Sequence, residues 1–419
     1  MLEKQHSAKC HDRRHNILKI LFVADVSIQD VIGGAERVLH EQTTRLAARG
    51  HDVQILTRRL PAHQSDCAII HNVKEWRYPV NQDNAVSFFT SIIRNGKDLF
   101  ETISKDNNFD CINYHQPFSA FSVMRAASCR NTRTVYTCHS LAFEEYASRN
   151  AKPDSFAKNI MHSFQLASRK WIERQALYRS DLIVVLSGYT RDKLFNIYGV
   201  PEGKIAIIPG GIDLARFHPA ADKREVRERL HLPREKTILL TVRNLVSRMG
   251  IENLIRAMEK IVKSVANVVL IIGGTGPLKN DLLELSRSLN LEHHIQFAGF
   301  IPETTLHDYY QAADIFVLPT IELEGFGLVT LEALASGTPV LGTPVGGTQE
   351  ILSRLDNRFL FPDARQESIS RLIIETCLKY RNQPDNWLLD SRQCRHFAEE
   401  YYSWETNVDA IERLFLAAL

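Results

Sequence analysis

PTIELEGFGLVTLEALASGTPVLGTPVGGTQEIL, residues 319–352, is the stretch that decides how this chain reads. An apolar, strand-like run, DIFVLPT (314–320), leads into it. Glu324-Gly325-Phe326-Gly327 then passes into a segment whose Leu328, Leu331 and Ala335 form a helical apolar face. A glycine-rich turn at a helix N-terminus presents backbone N–H groups without intrahelical acceptors, together with the positive end of the helix dipole. Such a turn can hold a phosphate. Two carboxylates bracket it, Glu324 just before the turn and Glu332 in the second turn of the helix. A carboxylate beside a bound phosphate is electrostatically unfavourable, so these two are expected to meet hydroxyl groups, one on a ribose and the other on a sugar. An ordinary strand–turn–helix with two solvated glutamates fits the same letters. The glycines between the acids and the downstream Gly-Thr-Pro-Val weigh against it.

Working outward, short apolar runs alternate with longer amphipathic stretches from Ile17 onward, which is the α/β pattern. A first series holds ILKILFVADV (17–26), a strand at Val53–Leu56, CINYH (111–115), TVYTCH (134–139) and DLIVVLS (181–187). Gly33-Gly34 opens a helix whose apolar face carries Val38, Leu39 and Leu46 and which Gly50 stops. IAIIPGGID (205–213) reads as a hinge. A second series follows with TILLTVRN (237–244), VVLIIGGTG (268–276), IQFAGF (295–300), DIFVLPT and TPVLGTP (338–344). The expectation is two doubly wound, Rossmann-like domains facing one another across a cleft, with strand-end loops lining it. A polar tail at 1–16 would precede a first domain at 17–204 and a second at 205–396. A C-terminal helix at 397–419, carrying Phe397, Tyr401, Trp404, Ile411 and Leu414, would pack across the junction.

Composition bounds the function. The 419 residues carry 51 Lys and Arg against 49 Asp and Glu, a net charge of +2, so a binder dominated by phosphate contacts to nucleic acid is disfavoured. The seven Cys are scattered without a C-x-x-C pair, which supports neither a disulfide framework nor a zinc ribbon. No apolar run is long enough for a spanning helix, and the first residues lack the apolar middle of a secretory signal, so a cytoplasmic location is expected.

The block EGFGLVTLEALASGTPV resembles the E-x7-E motif of glycosyltransferase family 4, the retaining, nucleotide-sugar-dependent enzymes of GT-B fold, and the resemblance runs over about residues 17–415. It implies that Glu324 contacts the donor sugar, that Glu332 contacts the nucleotide ribose, and that the amides of Gly325, Phe326, Gly327 and Leu328 cradle the diphosphate. It places Gly33 and Gly34 over the donor phosphates from the other side of the cleft. His139 matches the family's T-x-H context and is expected to bind the sugar near the reacting centre, not to act as a covalent nucleophile.

A departing nucleoside diphosphate needs a metal or fixed cations to meet its charge. The chain has no D-x-D triplet, so no metal and no cofactor are expected. The family supplies an Arg and a Lys in a form like GRLVPEKG. In TVRNLVSRMG, Arg243 and Arg248 keep that spacing, whereas alignment on Gly250 would put Asn244 and Met249 there. Arg243 and Arg248 are favoured because phosphate binding needs charge, and a guanidinium supplies it bidentately. GGTGPLKNDL (273–282), AGFIP (298–302), Ser187 and Gly211-Ile212-Asp213 resemble family segments near the base or the hinge, and read equally well as structural turns.

The resemblance thus implies a metal-independent hexosyltransferase that retains anomeric configuration. It would use a UDP- or GDP-sugar and a sugar or lipid-linked acceptor, with polysaccharide or glycoconjugate assembly as the setting. The basic helix near Lys158, Arg169, Lys170 and Arg174 would offer peripheral contact with the inner face of a membrane, or be a solvated face. Rival readings are a nucleotide-sugar epimerase or disaccharide phosphorylase of the same fold, a Rossmann dehydrogenase, and a non-catalytic nucleotide or sugar sensor. The dehydrogenase is disfavoured because no G-x-G-x-x-G follows an opening strand.

Overall fold

Among the described residues the chain forms thirteen strands in two sheets, most of them the apolar runs read above. The first sheet contains β1 (Lys19–Val23), β2 (Asp52–Arg58), β3 (Cys67–Ile70), β4 (Val73–Tyr78), β5 (Cys111–Tyr114), β6 (Arg133–Cys138), β7 (Leu182–Val185) and β8 (Ile205–Ile207), ordered β3-β4-β2-β1-β5-β6-β7-β8. The second contains β9 (Thr237–Val242), β10 (Val268–Gly273), β11 (Ile295–Gly299), β12 (Ile315–Leu318) and β13 (Val340–Gly342), ordered β11-β10-β9-β12-β13. Every pairing is parallel except β3 with β4. This computed structural model describes residues 17–29, 33–61, 63–130, 132–150 and 156–417; the expected tail at 1–16 lies outside them.

Strand alternation sorts the first core into two layers. Leu21 and Val23 face Ile112, Tyr114 and Tyr136 on one side of the sheet. Ile20 and Phe22 face the other, where Leu39 and Leu46 of the helix Gly34–Ala48 pack. The second half has a single large core in which Leu239, Ile271, Phe316 and Leu331 are fully buried. Both halves are therefore covered on two faces, as parallel sheets require.

One hairpin was not expected, and two expectations shift. The hairpin β3–β4 does not show in the hydropathy because Lys74, Glu75 and Arg77 interrupt β4. Glu75 and Arg77 are buried there as an ion pair 2.7 Å apart, and Ser27 Oγ donates to the same carboxylate at 2.8 Å. The boundary drawn at 204/205 moves, because Ile205–Ile207 pairs with β7 and completes the first sheet. The C-terminal segment is two helices. Phe397 and Tyr401 end the helix Pro384–Tyr401, which belongs to the second half, and the crossing begins at Trp404.

The helix Trp404–Ala417 joins the halves. Trp404 sits in the second core, whereas Val408, Ile411 and Phe415 sit in the first, with Phe415 edge-on to Phe22 at 6.2 Å. Arg49 reaches Asp409 at 2.7 Å and Glu412 at 2.5 Å, and Gln42 bonds Asn407 at 3.1 Å. Deleting a buried phenyl ring leaves a cavity on top of the lost transfer energy, so Phe415→Ala should destabilise the protein by about 3–5 kcal/mol. Urea unfolding would show this as a lower midpoint with an unchanged slope.

Candidate active site

The turn between β12 and the helix Leu328–Ala335 is held from three directions. Arg243, just beyond β9, ion-pairs with Glu324 and donates from Nη2 to Thr320 Oγ1 at 2.9 Å. Arg248 donates from Nη1 to the Leu323 carbonyl at 2.9 Å. That bond anchors Leu323 at φ 60°, a left-handed conformation that a branched residue adopts at an energetic cost. From behind, Gly346 (φ 58°) presses against the turn so closely that a β-carbon would lie 1.8 Å from the Glu324 carbonyl oxygen. The Gly347 amide donates to that oxygen at 3.0 Å.

Both expected cations thus reach the same turn, Arg243 at the Glu324 carboxylate and Arg248 at the Leu323 carbonyl, and each leaves its Nε without a partner among the described residues. Burial, then the positive charge of Arg248, pulls the Arg243 guanidinium down to about 10. Glu324 meets the charge of Arg243, and the two Nε–H groups remain as unpartnered donors beside it. The alternative alignment places Met249 in the hydrophobic core and Asn244 on the surface, away from this arrangement.

Glu332, one helical turn further in, is buried and accepts from the Tyr310 hydroxyl at 2.8 Å. Burial raises its pKa. Its other oxygen faces Arg37 Nε at 3.6 Å, and Arg37 also reaches Glu303 at 2.5 Å. Arg37 belongs to the helix that Gly33 caps in the opposite half, so this carboxylate is engaged across the cleft. The sequence reading missed Arg37, although it follows Gly-Gly-Ala-Glu directly.

The first half meets the turn at three further points. A β-carbon on Gly34 would stand 3.6 Å from Leu328 Cδ1, and one on Gly325 would stand 2.5 Å from the His139 carbonyl oxygen. Only glycine fits at 325. Ser187, which caps the helix Gly188–Tyr198, donates to the Gly325 carbonyl at 2.6 Å, so one side chain serves both its own helix and the contact across the cleft. Gly33 precedes the first helix with Glu36 folded back over it, and burial raises the Glu36 pKa, with Glu145 adding to the rise. Gly211 is accounted for by packing, since a β-carbon there would strike Trp404 N at 2.4 Å.

His139 stands at the end of β6 beside His115 at the end of β5, with Nε2 and Nδ1 3.0 Å apart. Burial drives His139 down to about 4 and His115 well below its ordinary value. The unfolded chain therefore binds protons at these positions between pH about 4 and 6.5 that the native state refuses, so stability rises with pH through that window. His139→Gln should lose less stability than the wild type between pH 7 and pH 5 in urea titrations. An equal loss in both would mean that His139 is not held neutral.

No group of three or more His, Cys, Asp or Glu able to hold a metal ion occurs among the described residues, and no helix there is long and apolar enough to cross a membrane. Residues 32–216 match Glycosyltransferase Family 4, and residues 222–387 match Glycosyl transferases group 1. An uncharacterized glycosyltransferase of Methanocaldococcus jannaschii is 34% identical over 43% of this chain and 47% of its own length, so that alignment spans about half of the relative. D-inositol 3-phosphate glycosyltransferase of Kineococcus radiotolerans is 28% identical over 75% of this chain and 74% of its own. The solved sucrose-phosphate synthase of Thermosynechococcus elongatus superposes with a TM-score of 0.80 at 22% identity, covering 95% of this chain and 98% of that one. With the two family matches meeting between the sheets and the E-x7-E turn facing the opposite half across the cleft, the chain belongs to glycosyltransferase family 4 and is a glycosyltransferase of GT-B fold.

Proposed function

We propose that this glycosyltransferase moves a hexosyl group from a UDP- or GDP-sugar to a hydroxyl of a sugar or lipid-linked acceptor, with retention at the anomeric carbon and without a required metal. The observation that carries the reading is the convergence of Arg243, Arg248 and the N-terminus of the helix Leu328–Ala335 on one turn. Fixed cations and oriented N–H groups at one point are what a departing diphosphate needs. The amides of Gly325, Phe326, Gly327 and Leu328 would take diphosphate oxygens, with Gly33 and Gly34 closing from the other half. Glu324 would turn from Arg243 to a donor-sugar hydroxyl, and Glu332 would exchange Arg37 for the ribose.

In this reaction the bond from the anomeric carbon to the diphosphate oxygen breaks. The acceptor oxygen bonds to the same face of that carbon, and its proton passes to the departing phosphate. The products are the glycoside and the nucleoside diphosphate.

Peripheral membrane contact would fall on the helix Phe156–Arg179, but not through all four expected cations. Arg169 is turned inward, its guanidinium 3.8 Å from the centre of the Tyr146 ring and 5.1 Å from that of Phe89. Met161, Phe164, Trp171 and Tyr178 form an exposed apolar row there instead, flanked by Lys158, Lys170 and Arg174. A cytoplasmic enzyme working at the inner membrane face fits this row.

With a matched donor and acceptor, Glu324→Gln and Arg243→Ala should each lower turnover by about a hundredfold or more while the melting transition stays cooperative. The product should keep the donor's anomeric configuration by NMR. Near-normal turnover in both variants would remove the site assignment. Conversion of the sugar with donor alone would point to the epimerase instead.

A further inference from the structure

The two histidines at the ends of β5 and β6 share one hydrogen bond, and its direction can be read from what surrounds it. His115 is fully enclosed, its ring packed against Phe22 at a centroid distance of 5.6 Å, and its Nε2 has no partner among the described residues. Its Nδ1 lies 3.0 Å from His139 Nε2. A neutral imidazole carries one N–H, so there are two arrangements. If His139 Nε2 donates, the proton of His115 must sit on Nε2, leaving a buried donor without an acceptor, at about 1–3 kcal/mol. If His115 Nδ1 donates, the unpartnered Nε2 is a bare lone pair. Unfilled acceptors are tolerated in protein interiors better than orphaned donors. The second arrangement is therefore favoured, and it fixes the proton of His139 on Nδ1, the nitrogen that His115 does not engage.

We propose that His115 is a positioning residue whose Nδ1–H bond to His139 Nε2 holds His139 as its Nδ1–H tautomer. His139 then offers a sugar hydroxyl a hydrogen-bond donor, and it has no free ring lone pair with which to act as a general base. The tautomer follows from the packing and the neutrality of both rings; its use on a sugar hydroxyl rests on the function proposed above. Both rings are neutral at pH 7 because burial disfavours their charged forms, so each carries a single N–H. The Thr137 hydroxyl, which donates to Asn113 Oδ1 at 3.0 Å, ties the same two strands together two residues earlier and keeps the rings in register.

The test is a long-range proton–nitrogen NMR spectrum of the full chain labelled with 15N-histidine, with His139 assigned from the spectrum of His139→Gln. The wild type should show His139 protonated at Nδ1 and bare at Nε2. His115→Asn places an amide where Nδ1 was and should keep that pattern, whereas His115→Phe should return His139 to the Nε2–H form that free imidazoles prefer. With a matched donor, His115→Phe should lower kcat by about tenfold or more with the donor KM little changed, and His115→Asn should recover most of the loss. A wild-type His139 protonated at Nε2 would overturn the proposal, whichever variants fold. Equal kcat in the wild type and His115→Phe would overturn the role of the tautomer in the reaction. The absence of turnover with any nucleotide sugar would count against the transferase reading, and the wild-type spectrum would still decide the tautomer.

Discussion

The cleft depends on one backbone constraint: the Glu324 carbonyl occupies the place where a side chain on Gly346 would begin. That contact lets the turn before the helix Leu328–Ala335 sit flush on the loop after β13, and the Gly347 amide locks it there. With its back fixed, the turn can be loaded in front with two guanidinium groups, a strained Leu323 and a buried carboxylate. None of these is a comfortable arrangement alone. Paired cations repel, and Arg243 gives up part of its basicity to burial. The core around Phe316 and Leu331 supplies the stability that holds such groups in place.

Each half of the molecule finishes what the other begins. Glu332 belongs to the second sheet but faces Arg37 from the first, and the Gly325 carbonyl accepts from Ser187 across the cleft. The helix Trp404–Ala417 links the two halves by rooting one end in each core. A ligand that took Glu332 from Arg37 would leave Arg37 bound to Glu303, which Arg216 also holds at 2.7 Å. The cleft therefore has an ionic contact that donor binding need not break.

The parallel strands were legible because strands buried on both faces are written as unbroken apolar runs, as in Val268–Gly273. β4 was not, because its Glu75–Arg77 pair is stabilised by Ser27 from a distant loop, a contact that no local pattern encodes. That Glu324 and Glu332 flank one turn was legible through spacing, since a turn and a helix start fix them relative to one another, whereas Arg243 and Arg248 were expected there from the family resemblance and the need for charge. Arg37 and His115 act through partners on another domain or an adjacent strand, so only the assembled fold reveals them. For His115 a signal did exist: CINYH and TVYTCH both end in histidine, and neighbouring parallel strands bring their ends together.

The central claim is that the turn at Glu324 binds a nucleoside diphosphate through protein cations and backbone amides. It is tested most directly by thermal melting with UDP-, GDP- and ADP-sugars in EDTA, comparing the wild type with Arg248→Ala. A ligand at about 100 times its dissociation constant should add about 2.7 kcal/mol of stability, a visible shift in Tm. The account predicts that shift for one base in the wild type without metal, and its loss or marked reduction in Arg248→Ala. No shift with any nucleotide sugar, in EDTA or with magnesium restored, would contradict it.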